Sequence, residues 1–143
     1  MPIPYNTWLI VAAGLSAIAA LLHVAIIFGG SQWYRFFGAG ERMALAAAAG
    51  RWYPAIVTTG IALVLSVWAA YALSGAGVIQ TLPLLKFGLS VITVIYLVRG
   101  LAIVPLLVIA REKTTPFLLW SSAICCGYGI VHLFGLTQVW SML

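Results

Sequence analysis

The side chains able to do chemistry in this chain are few, and most stand inside apolar runs: Arg99, His23, Glu41, Tyr96, His132 and Lys86. Arg99 lies near the middle of the run Leu82–Ile109, which carries Lys86 close to its start. An ionised group deep in hydrocarbon costs about 2.5–3.5 kcal/mol on insertion scales. Each such charge therefore needs a partner, water or a route to the interface. The four-carbon stem of Lys86 can carry its ammonium outward, so snorkelling accounts for it. For Arg99 two readings stand level. One is a structural tie to carbonyls of a neighbouring span. The other is a ligand site, because a guanidinium offers a rigid fork of donors to an anionic or carbonyl head group. A quinone, a lipid head group or a fatty acid would suit such a site. Arg99, His23, Glu41, Tyr96, His132 and Lys86 form the candidate ligand-binding set.

Depth sorts these residues. His23 follows about 15 residues after the start of its apolar run, roughly 22 Å into the bilayer at 1.5 Å per residue. His132 follows about 16 residues after the start of an oppositely directed run, roughly 24 Å from the other side. In a core about 30 Å thick they fall in different halves, which argues against a haem held by both within one chain. Two polar layers are expected instead: Arg99 with His23 and Glu41 drawn from the loop, and separately Lys86 with His132. The plainer alternative is that each histidine donates to a backbone carbonyl and holds helices together. His23, Cys125 and Cys126 have the ligand types for zinc or copper, but no spaced motif unites them, and no metal or other cofactor is expected. Phosphate-binding loops, zinc-protease helices and nucleophile elbows are absent from the sequence.

These residues must be positioned by membrane helices. The chain has 143 residues, 64% hydrophobic and 6% charged, against about 25% charged in ordinary soluble domains. The apolar runs are long enough to span, so the expected fold is an all-α membrane protein: a four-helix transmembrane bundle in a single domain, with spans at about 8–28, 53–73, 82–109 and 116–140. Tyr5 and Trp8 suit an interfacial start of the first span, with Pro2 and Pro4 keeping the tail before it non-helical. Gly29-Gly30 should end that span. The loop Ser31–Trp52 interleaves Trp33, Tyr34, Phe36 and Phe37 with Arg35, a mixture suited to the headgroup layer. Glu41–Ala49 holds strong helix formers and should be a short amphipathic helix. That loop reads as an interfacial connector or, more sharply, as a lid with Glu41 turned inward. Pro105 should kink the third span just past Arg99. Two stripes of small or polar residues, Ser16–Ala19–Ala20–His23 and Ser121–Cys125–Gly129–His132, would let helices approach closely.

The charges orient the chain. Arg35, Arg42, Arg51, Arg111 and Lys113 lie in the two loops Ser31–Trp52 and Ala110–Thr115, which share one side of a four-span protein. The Ser74–Thr81 loop and both termini, on the other side, carry no Lys or Arg. The positive-inside rule makes the charged side cytoplasmic and turns both termini outward, in a bacterial inner membrane. The basic residues are scattered, so no nucleic acid partner is expected. There is no Asp, and Glu41 and Glu112 are the acidic residues. That removes two-carboxylate catalysis and all-carboxylate cation cages.

The string Trp33-Tyr34-Arg35-Phe36-Phe37-Gly38-Ala39-Gly40-Glu41, with His23 upstream and Arg99-Gly100 downstream, resembles a family of small, uncharacterised bacterial four-span membrane proteins. The resemblance runs loosely along the whole chain and implies the same four-helix architecture, with no activity attached. Three function classes follow from the residues. The first is a small lipid-binding or accessory protein, as a homo-oligomer or a subunit of a larger membrane complex. The second is a membrane enzyme acting on a lipid-soluble substrate, a quinone or lipid head group, at an Arg99/His23 layer. The third is a homo-oligomeric small transporter, ranked last because no span holds a carboxylate for a proton relay.

Overall fold

The computed structural model describes residues 5–143; the proline positions in the N-terminal tail, Pro2 and Pro4, lie outside the described residues. The described chain is all-α. Its elements are α1 (Thr7–Phe36), α2 (Glu41–Ala48), α3 (Tyr53–Gly75), α4 (Leu85–Leu101), α5 (Ile103–Ile109) and α6 (Pro116–Val139), with a 3-10 turn at Arg111–Lys113. Four stretches among the described residues are long and apolar enough to cross a membrane: α1, α3, α4 with α5, and α6. The shortest has 23 residues, about 34 Å of helix against a hydrocarbon core of about 30 Å. The chain is a multi-pass membrane protein, as its composition predicts.

Local chemistry sets the helix ends. Asn6 starts α1: its Oδ1 accepts from the Leu9 amide at 2.8 Å, an N-cap bond that satisfies an otherwise orphaned donor. The Gly29-Gly30 pair does interrupt the helix, as expected, and a second short helix follows it. The chain breaks at Gly30, where φ is 66° and ψ −154°, and then winds on to Phe36. Glycine tolerates that φ without steric cost. Its neighbour Gly29 is covered by the Trp33 ring, which leaves no room for a Cβ. The kink expected past Arg99 is a break at Ala102 between α4 and α5. Pro105 has no N–H to give the Leu101 carbonyl, so the helical ladder loses a rung there. α6 opens with Pro116 in its first turn and Thr115 as cap, the threonine oxygen accepting from the Leu118 amide at 3.1 Å.

The described residues form two compact units: residues 5–16 with Trp68–Leu143, and Ala17–Val67. In the first, α4 and α6 run antiparallel in close contact. A Cβ at Gly100 would meet the Cys126 backbone, and one at Gly129 would meet Leu97. Leu9 of α1 lies against Gly135. The core there is Leu9, Leu85, Leu89, Leu136 and Val139, with the alanines Ala12, Ala13 and Ala72 packed beside it. The stripe expected on the last span is shifted at its start. Ser122 rather than Ser121 is buried, followed by Gly129, His132, Gly135 and Leu136.

In the second unit, Ile26, Tyr34 and Ala44 form a small core, flanked by Phe37, Met43 and Ala47. The aromatic loop therefore divides its rings. Trp33 and Phe36 are exposed, whereas Tyr34 is 2% exposed; its oxygen accepts from Thr58 Oγ1 at 3.1 Å. The headgroup-layer expectation does not describe Tyr34, whose ring is needed to seat α2.

Candidate functional site

Several polar side chains meet inside the first unit, around Tyr96. α4 carries Tyr96 on its buried face with Leu89, Ile92, Thr93 and Gly100. The Tyr96 hydroxyl lies 3.0 Å from Ser16 Oγ. Its ring meets Trp68 edge-on at 4.9 Å, Tyr128 edge-on at 5.4 Å, and the His132 imidazole at 5.1 Å. Edge-to-face pairs at such distances are favourable beyond simple burial. Ser16 stands about nine residues into α1, roughly 14 Å along it, so this layer falls near mid-membrane. Thr93 closes its own polar group by donating to the Leu89 carbonyl at 2.7 Å.

His132 is 0% exposed. Its Nδ1 lies 2.8 Å from the Tyr128 carbonyl. A carbonyl only accepts, so Nδ1 carries the proton and donates, and in the neutral ring Nε2 presents a lone pair. Among the described residues, Nε2 is a buried side-chain atom with no hydrogen-bond partner. A bare buried acceptor costs about 1–3 kcal/mol. This geometry, one ring nitrogen anchored to a carbonyl and the other free, also fixes the tautomer that a ligand would meet.

The other expected residues are committed to local bonds. Arg99 is exposed rather than packed inward, and reaches α6: Nη1 donates to Ser122 Oγ and Nη2 to Ser121 Oγ, each at 3.3 Å. The neighbouring span thus meets it with hydroxyls and not with the carbonyls expected. Lys86 Nζ donates to the Trp140 carbonyl at 3.0 Å and sits 4.2 Å above the Trp140 ring. Trp140 follows the last residue of α6, so the ammonium meets the negative end of that helix. The expected Lys86–His132 layer is not formed by this pairing. With Gly100 level with Cys126, Lys86 is level with Trp140, about eight residues or roughly 12 Å along α6 from His132.

His23, in the second unit, is half-buried, with Nδ1 at 2.7 Å from the Ala19 carbonyl. Both histidines therefore donate to backbone, as the plainer alternative holds, but to the carbonyl four residues back on their own helix. Neither bond ties two helices. Glu41 is exposed and takes Arg35 in a two-bond fork, Nε to Oε2 at 2.8 Å and Nη2 to Oε1 at 2.7 Å. That bonded guanidinium holds its carboxyl below the ordinary value. Glu41 is turned onto Arg35 and not inward, which removes the lid reading. Among the described residues no three His, Cys, Asp or Glu side chains gather as metal ligands.

Sequence reasoning missed Trp68, Tyr128 and Asn6. A usable signal was present for the first two. Tyrosine and tryptophan favour the membrane interfaces, where their polar tips find water. Rings of this kind in the middle of a span demand internal partners. No family model, curated protein or solved structure matches this chain.

Proposed function

We propose that this is a small binding or accessory protein of the bacterial inner membrane, and that it receives the hydroxyl-bearing head of a lipid-soluble ligand at His132. The observation that carries this reading is the bare Nε2 of a fully buried imidazole whose other nitrogen is already bonded. A lone acceptor beside aromatic faces recognises a donor and a flat ring together. A quinol has both: a hydroxyl to give Nε2 and a ring to lie against Tyr96 and Trp68. Binding is favoured over catalysis because the remaining charged groups near the helices are engaged elsewhere, Lys86 on Trp140 and Glu41 on Arg35. Among the hydrogen bonds described above, none pairs a nucleophile with a base and none brings a second acid or base to His132.

The test compares a short-chain benzoquinol with the matching quinone, which lacks the donor, by titration of the purified protein in detergent. The quinol should bind more tightly, and the difference should vanish in His132→Leu while the variant keeps its stability, since a bare polar atom has been removed. Equal binding of both forms, or a preference that survives His132→Leu, rejects the reading.

Orientation belongs to the same proposal. With the Arg-rich loops cytoplasmic, single cysteines in the Ser74–Thr81 loop of whole cells, in a background with Cys125 and Cys126 replaced, should react with an impermeant thiol reagent. Cysteines at the Arg42 loop should not, and the reverse pattern inverts the assignment.

A further inference from the structure

We infer that the Arg99 guanidinium, held between Ser121 and Ser122, is the head-group site for one anionic phospholipid of the leaflet at the Arg111–Lys113 end. The register of α4 on α6 gives the geometry. Gly100 lies against Cys126 and Leu97 against Gly129, so the Arg99 backbone is level with about residue 127 of α6. Its terminal nitrogens are bonded at Ser121 and Ser122, about five residues nearer the start of α6, roughly 7–8 Å at 1.5 Å per residue. The side chain thus carries its charge from mid-membrane toward the Arg111–Lys113 turn. It stops about five residues inside the first turn of α6, roughly 8 Å. The exposed Arg111 and Lys113 beyond the start of α6 add positive charge on that side.

The partners it has do not neutralise it. Both serine bonds are 3.3 Å, beyond the usual N–H···O range of about 2.7–3.2 Å. Ser121 is already oriented, its hydroxyl donating to the Leu118 carbonyl at 3.2 Å, so its lone pairs face the guanidinium. Among the described residues no carboxylate pairs with Arg99; the ion pair they do form is Arg35–Glu41. A guanidinium has five donors, and the two serines take one each. The remaining fork matches the two oxygens of a phosphodiester. Beside it on α4 run Val91, Val94, Ile95 and Val98, all exposed, an apolar track on which an acyl chain can lie. A charged fork at the head and an apolar strip along the tail is the shape of a phospholipid.

The test reconstitutes the full chain in nanodiscs of phosphatidylglycerol and phosphatidylcholine in equal parts, then counts retained lipids by native mass spectrometry. The wild-type chain should keep one phosphatidylglycerol in preference to phosphatidylcholine. Arg99→Gln should lower that retention about tenfold or more, the scale of a lost charge-assisted bond. Arg99→Lys keeps charge but not the fork and should fall between. Arg51→Gln, at an exposed position in the second unit, should match wild type. If Arg99→Gln does not fold, the paired change Ser121→Ala with Ser122→Ala, together with Arg99→Lys, carries the test and should lower retention. Added inorganic phosphate should leave the lipid in place. Equal retention of both lipids, or retention unchanged in Arg99→Lys and in the serine pair, overturns the site. Displacement of the lipid by phosphate, with phosphate binding that depends on Arg99, assigns it to the free ion and overturns the lipid assignment.

Discussion

Replacing Gly100 by alanine tests whether α4 and α6 owe their contact to small residues. A Cβ at Gly100 would stand 2.6 Å from the Cys126 amide nitrogen and 3.0 Å from its Cα. Ordinary contact begins at 3.4 Å, so the helices must part locally by about 0.8 Å, since a backbone cannot turn aside as a side chain can. A radial gap of about 0.5–1 Å forfeits a quarter to a half of each dispersion contact nearby, and overpacking of this kind costs about 1–3 kcal/mol. Alanine returns up to about 1 kcal/mol in helix propensity. With the full propensity gain returned, the net expected loss is about 0–2 kcal/mol. Gly129→Ala should cost less, because its main obstacle is the Leu97 side chain at 2.6 Å, with the Leu97 amide at 3.0 Å. Gly127→Ala, with nothing within 4 Å, should be neutral or stabilising by up to about 1 kcal/mol. The assay is reversible unfolding in mixed micelles, followed by circular dichroism for all three variants. If Gly127→Ala costs as much as Gly100→Ala, close backbone packing is not what holds these helices together.

Asn6→Ala should destabilise the first helix by about 1 kcal/mol through loss of the N-cap, and by more than Gln138→Ala, because Asn6 bonds both the Leu9 amide and the Gln138 side chain; equal losses in the same unfolding assay would locate the effect in the side-chain pair alone. Lys86→Gln should cost about 1 kcal/mol, combining the helix-end charge with the contact to the Trp140 ring; in a double-mutant cycle with Trp140→Leu the two changes should couple, and strict additivity would contradict the contact. Glu41 should titrate below its ordinary value of 4.5 because Arg35 bonds its ionised form. Its folded value being the lower one, the pair's contribution is complete above the unfolded value and is lost as pH falls through the folded one. Carbon-13 NMR of the Glu41 carboxyl checks this: the midpoint should rise to about 4.5 in Arg35→Gln, and a wild-type midpoint at or above 4.5 contradicts the pairing.

The spans were legible because apolar length is a property of the string itself, and the break near Pro105 because proline lacks a donor wherever it sits. What was not legible depended on rotation about helix axes. Ser121 and Ser122 are adjacent, so a turn of about 100° decides which of them is buried, and spacing alone chose the wrong one. The Gly29-Gly30 pair was legible as a terminus because glycine tolerates the positive φ that Gly30 adopts. That the chain resumes depends on Trp33 folding over Gly29 and Tyr34 packing with Ile26 and Ala44, contacts no local pattern records. Depth failed for Lys86 and His132, because sharing a half of the membrane still leaves about 12 Å of helix between two residues.

The polar groups of the first unit are graded by the charge that each depth can bear. Lys86, at the end of α6, keeps a full charge against a carbonyl and a ring. Arg99 starts near the middle of its span but places its charge about five residues away along α6, roughly 7–8 Å, where two serine hydroxyls meet it. His132 stays near the middle and is held in the one form that costs least there, a neutral ring whose proton is already given to the Tyr128 carbonyl. An ionised imidazole at that position would add a desolvated charge with no anion among the bonds described. The grading separates the two proposed ligand chemistries on physical grounds. An anion is suited to Arg99, where a cation already stands close to a membrane surface. At His132 only a neutral donor gains, because Nε2 offers a lone pair and nothing to balance a charge. A carboxylate or phosphate brought to His132 would face that lone pair directly, so a fatty acid should compete poorly with a quinol there even where both partition equally into the micelle.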